Sequence, residues 1–161
     1  MTITLKHYAD YFAIALEIGL PIKEEIITWA DNLILNNSKP SMWAIDLATS
    51  HNKSIQDTIG LLREVPEESD LNISFKLIIA KISILYNFVK EEDYPILSSL
   101  GNWYRVNHAK IKLDLHFMSA FEVMYNEPRY IWQYFFDESE IPEYYQELIV
   151  IGKDYIQYLP I

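Results

Sequence analysis

Apolar positions recur at intervals of three and four along most of the chain, the spacing of one face of an α-helix. Tyr8, Tyr11, Phe12, Ala15, Leu16 and Ile18 mark a first helix over residues 8–18, and Gly19 and Pro21 supply its stop. A second helix is predicted from Pro21 to about Leu35, with Glu24 and Glu25 near its positive end. Ile22, Ile26, Trp29, Ala30 and Leu33 form its apolar face, and Asn36, Asn37 and Ser38 break it. A shorter helix follows over 41–49. Ser54 with Asp57 three residues later is a helix-start signal, and predicts a helix over 54–64 that Pro66 ends. Glu67, Glu68, Ser69 and Asp70 form an acidic linker whose last residues can cap the next element.

Residues 71–90 are apolar nearly all round, as in a helix enclosed by others. Local alternation there also permits a strand, but twenty residues without Gly or Pro exceed the usual strand length. Pro95 opens a helix through Trp103 and Tyr104, in which Gly101 is an awkward interior residue. Residues 110–117 alternate polar and apolar with period two, placing Ile111, Leu113, Leu115 and Phe117 on one side. This is the best strand candidate in the chain. Met118, Phe121, Met124 and Tyr125 then continue at helical spacing, and a single helix over about 107–125 is favoured. A short aromatic helix over 129–136 and a final helix over 142–158 complete the pattern.

No Asn-Gly, Asp-Gly or Gly-Gly pair occurs, so the usual tight hairpin turns are missing. The expected fold is therefore all-α: one irregular domain over 1–161 of about eight helices, an arrangement open to stacked helical hairpins. A length of 161 residues with 50% hydrophobic content supports a real core. The absence of cysteine excludes a disulfide scaffold, a Cys-ligated zinc site and a thiol nucleophile. The net charge of −10 argues against an unspecific grip on nucleic acid or anionic lipid. The apolar N-terminal stretch is cut by Asp10 and Glu17 and lacks the basic start and cleavage site of a signal peptide. The long apolar segment 71–89 carries Lys76 and Lys81, which are costly near a bilayer centre. A cytoplasmic protein is expected.

Catalytic motifs are missing. Of His7, His51, His108 and His116, no two have the spacing of a metal-binding helix pair. No nucleophile elbow, phosphate loop or dinucleotide fingerprint is present, and four separated glycines build no phosphate cradle. No catalytic residue, cofactor or metal is expected. Residues 47–59 have the outline of a helix-turn-helix. However, Lys53 stands where a buried aliphatic belongs, and the second helix offers no Lys or Arg before Arg63. Two packed core helices are the better reading.

The distinctive feature lies between Tyr130 and Glu147. Seven of these eighteen residues are aromatic, five are carboxylates, and none is Lys or Arg. That is more aromatic surface than one helix face buries, so some rings are expected outside. Tyr and Trp anchor protein interfaces, and carboxylates around them steer a basic partner. The expected partner-binding residues are Tyr130, Trp132, Tyr134, Asp137, Glu138, Glu140, Glu143 and Tyr144.

Three stretches carry a resemblance: Tyr11-Phe12-Ala13-Ile14-Ala15-Leu16-Glu17-Ile18-Gly19-Leu20 with Ile26-Ile27-Thr28-Trp29-Ala30-Asp31, the paired helices of 44–65, and the ending Tyr155-Ile156-Gln157-Tyr158-Leu159-Pro160. In these the chain resembles small all-helical bacterial proteins associated with polymorphic toxin systems as cytoplasmic immunity proteins. The resemblance covers about half the chain and rests on aliphatic helix patterns. It implies a non-catalytic protein that binds and neutralises a cognate toxin, commonly a basic nuclease. A helical adaptor with another protein partner is the alternative, and an enzyme with a dispersed carboxylate or histidine site a third.

Overall fold

A computed structural model of the chain describes residues 2–86 and 91–160. Among them are nine α-helices, several 3₁₀ turns and no β-strand. The protein is all-α, as its periodicity predicts. The chain divides into two compact units, Met1–Ser74 with Pro160–Ile161, and Phe75–Leu159. The sequence carries no linker at that boundary, which falls inside a helix.

The first unit holds α1 (Leu5–Glu17), α2 (Lys23–Leu35), α3 (Met42–Ala48), α4 (Ile55–Arg63) and the first turn of α5 (Leu71–Leu85). Helix α1 starts three residues earlier than its apolar pattern. Thr4 caps it, accepting the His7 backbone N–H at 3.3 Å. The buried His7 ring accepts the Asp70 N–H at Nε2, 3.1 Å away. On its other side the Thr4 backbone N–H donates to Nδ1 at 3.0 Å, completing the capping box of α1. Asp70 in turn caps α5 by accepting the Asn72 N–H at 2.9 Å. The acidic linker thus caps the helix after it, as the sequence predicts.

Gly19 ends α1 at φ +87°, with Leu20 N–H bonded to Ala15 C=O and Gly19 N–H to Leu16 C=O. This is the paired bonding of a glycine-terminated helix, and Leu20 is buried beside it. Pro21 lies outside α2 rather than in its first turn. Tyr11, Phe12, Trp29 and Trp43 form a chain of ring contacts through the core, at centroid separations from 4.9 to 6.0 Å. Helices α3 and α4 turn Leu47, Ile59 and Leu62 inward, which is the packed pair expected of residues 47–59.

The second unit contains the rest of α5 with α6 (Tyr94–Asn107), α7 (Met118–Asn126), α8 (Arg129–Trp132) and α9 (Ile141–Gly152). The predicted helix 71–90 is helical to Leu85, and residues 87–90 lie outside the described residues. No helix among the described residues is long and apolar enough to cross a membrane. Phe75 stacks on Trp103 with ring centroids 5.4 Å apart. Two glycines explain how the helices approach. A Cβ on Gly152 would lie 2.9 Å from the Ala80 backbone, so α9 meets α5 there. A Cβ on Gly101 would lie 2.6 Å from the Glu122 nitrogen and 2.6 Å from Phe121 Cβ. The awkward interior glycine of α6 is the point where α7 touches it.

The expected single helix over 107–125 does not form. The Asn107 side chain donates to Trp103 C=O at 2.9 Å and the His108 ring bonds Arg105 C=O at 2.8 Å, closing α6. A 3₁₀ turn over His108–Lys110 follows, and residues 111–115 are neither helix nor strand. Ile111, Leu115 and Phe117 point inward in turn, so the period-two pattern prevails to 117 and the helical one from Met118. With no neighbouring strand, the backbone is held by the Tyr104 hydroxyl, which donates to Leu113 C=O at 2.6 Å. The predicted last helix is also shorter: α9 stops at Gly152 and tightens into a 3₁₀ turn over Lys153–Tyr158.

Two predictions follow from this packing. Gly101→Ala is expected to destabilise by about 1–3 kcal/mol, because backbone atoms block the new methyl. Gly60→Ala, at an exposed position of α4 with nothing within 4 Å, is expected to stabilise by a few tenths to about 1 kcal/mol. Urea unfolding reads both signs. A third prediction concerns the α4 cap. Ser54 Oγ accepts the Asp57 N–H at 3.0 Å and donates to Asp57 Oδ2 at 2.7 Å; that hydroxyl bond first, and then the Ser54 backbone N–H, hold the Asp57 carboxyl below the usual carboxylate range. Its contribution is complete above about pH 4 and is lost as pH falls through the lowered value. Ser54→Ala should therefore destabilise at pH 7, and its difference from wild type should narrow below about pH 4 in thermal melts.

Candidate protein-interaction surface

The aromatic–acidic segment is helical only over α8, not over the expected 129–136. After Trp132 the backbone tightens: Tyr134 N–H bonds Ile131 C=O at 3.0 Å and Phe135 N–H bonds Trp132 C=O at 2.8 Å. The cause is visible in the side chains. Trp132 is 5% exposed and stacks nearly parallel on Phe136, with centroids 5.0 Å apart. Between these two inward rings, Tyr134 and Phe135 stand outward at 88% and 67% exposure. Tyr130, one turn before Tyr134, is 70% exposed.

Both ends of this turn are fastened. On one side, the Arg129 guanidinium bonds Glu91 at 2.7 and 2.9 Å and both oxygens of Glu138 at 2.9 Å. Glu91 first, and then Glu138, hold that guanidinium above its ordinary range. These groups remain partly in water, so their attraction is modest and falls with salt. On the other side, Asp137 accepts the Ser139 N–H at 2.9 Å and caps a 3₁₀ turn over Glu138–Glu140. That bond lowers the Asp137 carboxyl below the usual range. Helix α9 follows. Its Tyr144 stacks on Phe117 and donates to Glu140 Oε2 at 2.8 Å. The Glu140 bond, burial and the neighbouring carboxylates all push the Tyr144 hydroxyl up.

The eight expected residues therefore divide. Tyr130, Tyr134, Asp137, Glu140 and Glu143 are exposed along one stretch. Glu138 is half-buried and paired, and Tyr144 is half-buried on Phe117. Trp132 is core, and it anchors the turn instead of being presented. Phe135 is an outward ring that the expected set omits. Arg129 stands one residue before the cation-free segment, so the sequence window ended just short of it.

Beside the turn, α6, α7 and α8 leave an open groove of about 470 Å³, in the usual range for a binding cleft. Tyr94, Pro95, Met124, Tyr125 and Trp132 line it, with Glu91 and Arg129 at its charged end. A second concavity, of about 260 Å³, brings together His108, Asp114, His116, Arg105 and Glu122. The sequence view placed His108 and His116 two turns apart on one helix. The break at 108–115 is what brings them to one concavity. Arg105 Nε bonds Glu122 at 3.1 Å and the His108 ring is engaged by Arg105 C=O. No group of three or more His, Asp or Glu among the described residues is placed to hold a metal ion.

The chain matches no protein-family profile, no curated protein and no solved structure.

The division of the aromatic residues is testable by stability. Trp132→Ala should cost about 3–5 kcal/mol, as for a buried aromatic. The double substitution Tyr134→Ser, Phe135→Ser should stay within about 0.5 kcal/mol per site, as for exposed positions. Chemical denaturation distinguishes the two.

Proposed function

We propose that this is a non-catalytic protein-binding protein of the cytoplasm, of the immunity type, which binds a cognate toxin and blocks it. The observation that carries the reading is the turn after α8. Three large rings stand in solvent, that of Tyr130 on α8 and those of Tyr134 and Phe135 on the turn after it, in a segment anchored by Trp132, Arg129 and Asp137. Exposed rings on a pre-ordered turn lose little entropy on binding, which is the physical advantage of an interface anchor. The carboxylates of Asp137, Glu140, Glu143 and Glu147 follow them along the chain, with no Lys or Arg between Tyr130 and Glu147. Such a rim favours a basic partner by speeding encounter and rejecting acidic competitors. The resemblance to immunity proteins supplies the kind of partner, a basic toxin domain. An adaptor for another protein uses the same surface, and the identity of the partner separates the two.

The test is co-expression with the C-terminal domain of a toxin encoded beside the gene. Survival of the host and a co-purifying complex are expected. Death of the cells with no complex defeats the immunity reading. Within such a complex, Asp137→Lys, Glu140→Lys and Glu143→Lys together should raise Kd by roughly tenfold or more at low salt and flatten its salt dependence. An unchanged Kd and salt slope place the interface elsewhere.

A further inference from the structure

We infer that the groove between α6, α7 and α8 is a subsite for an arginine side chain of a basic protein partner, and that Arg129 occupies its carboxylates until that side chain arrives. The inference rests on the partner-binding reading and adds a defined subsite to it. Two carboxylates, Glu91 and Glu138, converge on the single guanidinium of Arg129. The three together carry one net negative charge at neutral pH, so the end of the groove still attracts a cation. The fork geometry of four short contacts is the one by which carboxylates recognise guanidinium rather than ammonium. Arg129 is held at an exposed site, where ion pairs exchange readily with water and with competing charges.

The walls fit the same occupant. Tyr94, Tyr125 and Trp132 line the groove. Aromatic faces next to carboxylates attract a cation twice, by charge and by ring quadrupole. Pro95 and Met124 add apolar surface against which the methylene stem of an arginine can lie. Glu91 lines the groove with Tyr94, and Glu138 joins it through Arg129; burial first, and then the charges of Glu138 and Glu91, push the Tyr94 hydroxyl up. Among the described residues lining the groove, Arg129 is the one cation. The groove also adjoins the aromatic turn through Arg129 and Trp132, so one partner can engage both. A basic side chain entering beside Tyr134 and Phe135 would fix the register of the whole interface.

The probe is an N-acetylated hexa-arginine amide, titrated into the full chain at low salt and followed by NMR, with the hexa-citrulline peptide as neutral control. Saturable shifts of the Trp132 indole and of Tyr94 and Tyr125 are expected with arginine, and none with citrulline. Glu91→Gln with Glu138→Gln should weaken binding at least tenfold. Asp31→Asn with Glu64→Gln removes the same charge at exposed positions outside the groove and the acidic rim, and should weaken it by less than threefold. Arg129→Gln removes the internal competitor and should tighten binding several-fold, with circular dichroism confirming that each variant keeps its helices. Equal weakening by the two double variants means diffuse attraction and overturns the proposal. So does weaker binding by Arg129→Gln, or equal shifts with citrulline. Shifts confined to Tyr130 and Tyr134 overturn the groove while leaving the partner-binding surface standing.

Discussion

The backbone contact of α6 with α7 at Gly101 governs the second unit. There is no room for a Cβ between the two helices, so their separation is set by main-chain atoms and not by adjustable side chains. Everything around the candidate surface depends on that approach. Helix α7 is held against α6, Pro128 and α8 follow within three residues of its end, and Trp132 is brought to the groove that α6 and α7 line. A larger residue at 101 would push α7 away and change the groove and the turn together.

The turn itself shows how an aromatic segment resolves when it has too many rings for one interior face. Trp132 and Phe136 are four residues apart, and both turn inward as a stacked pair. The rings between them, Tyr134 and Phe135, are then forced outward. Exposure here follows from burial, because the same two contacts that stabilise the turn fix which side chains remain in water. The charged groups add definition with little stability: Arg129 joins Glu91 to Glu138, residues far apart in sequence, and Asp137 caps the short turn before α9. The result is a turn whose shape is set by its own contacts.

Helix boundaries were legible wherever the signal was local. Ser54 with Asp57, Gly19 after α1, and Asp70 before α5 each act within a few residues of themselves, through one side chain and the nearest backbone groups. The errors lie where two local patterns competed. Over 107–125 the period-two and helical patterns overlapped, and the sequence favoured one helix. The outcome was set by Tyr104, a residue on the preceding helix whose hydroxyl satisfies the extended backbone at Leu113. The candidate surface was legible as composition, since an excess of rings and carboxylates is visible without coordinates. Which rings were outside was not, because Trp132 and Tyr134 are chemically alike as anchors and differ only in their neighbours.

By itself the sequence determined the all-α class, most helix starts and stops, and the place on the chain where aromatic residues and acid concentrate. These follow from periodicity, capping chemistry and composition, which act over a few residues. Only the tertiary structure decided that Trp132 is core and Phe135 surface, that Arg129 gathers Glu91 and Glu138, and that His108 and His116 share a concavity. Each of these depends on residues distant in sequence, or on a break in a helix. A contact of that kind leaves no period and no motif in the chain, because it is chosen by the packing of whole helices.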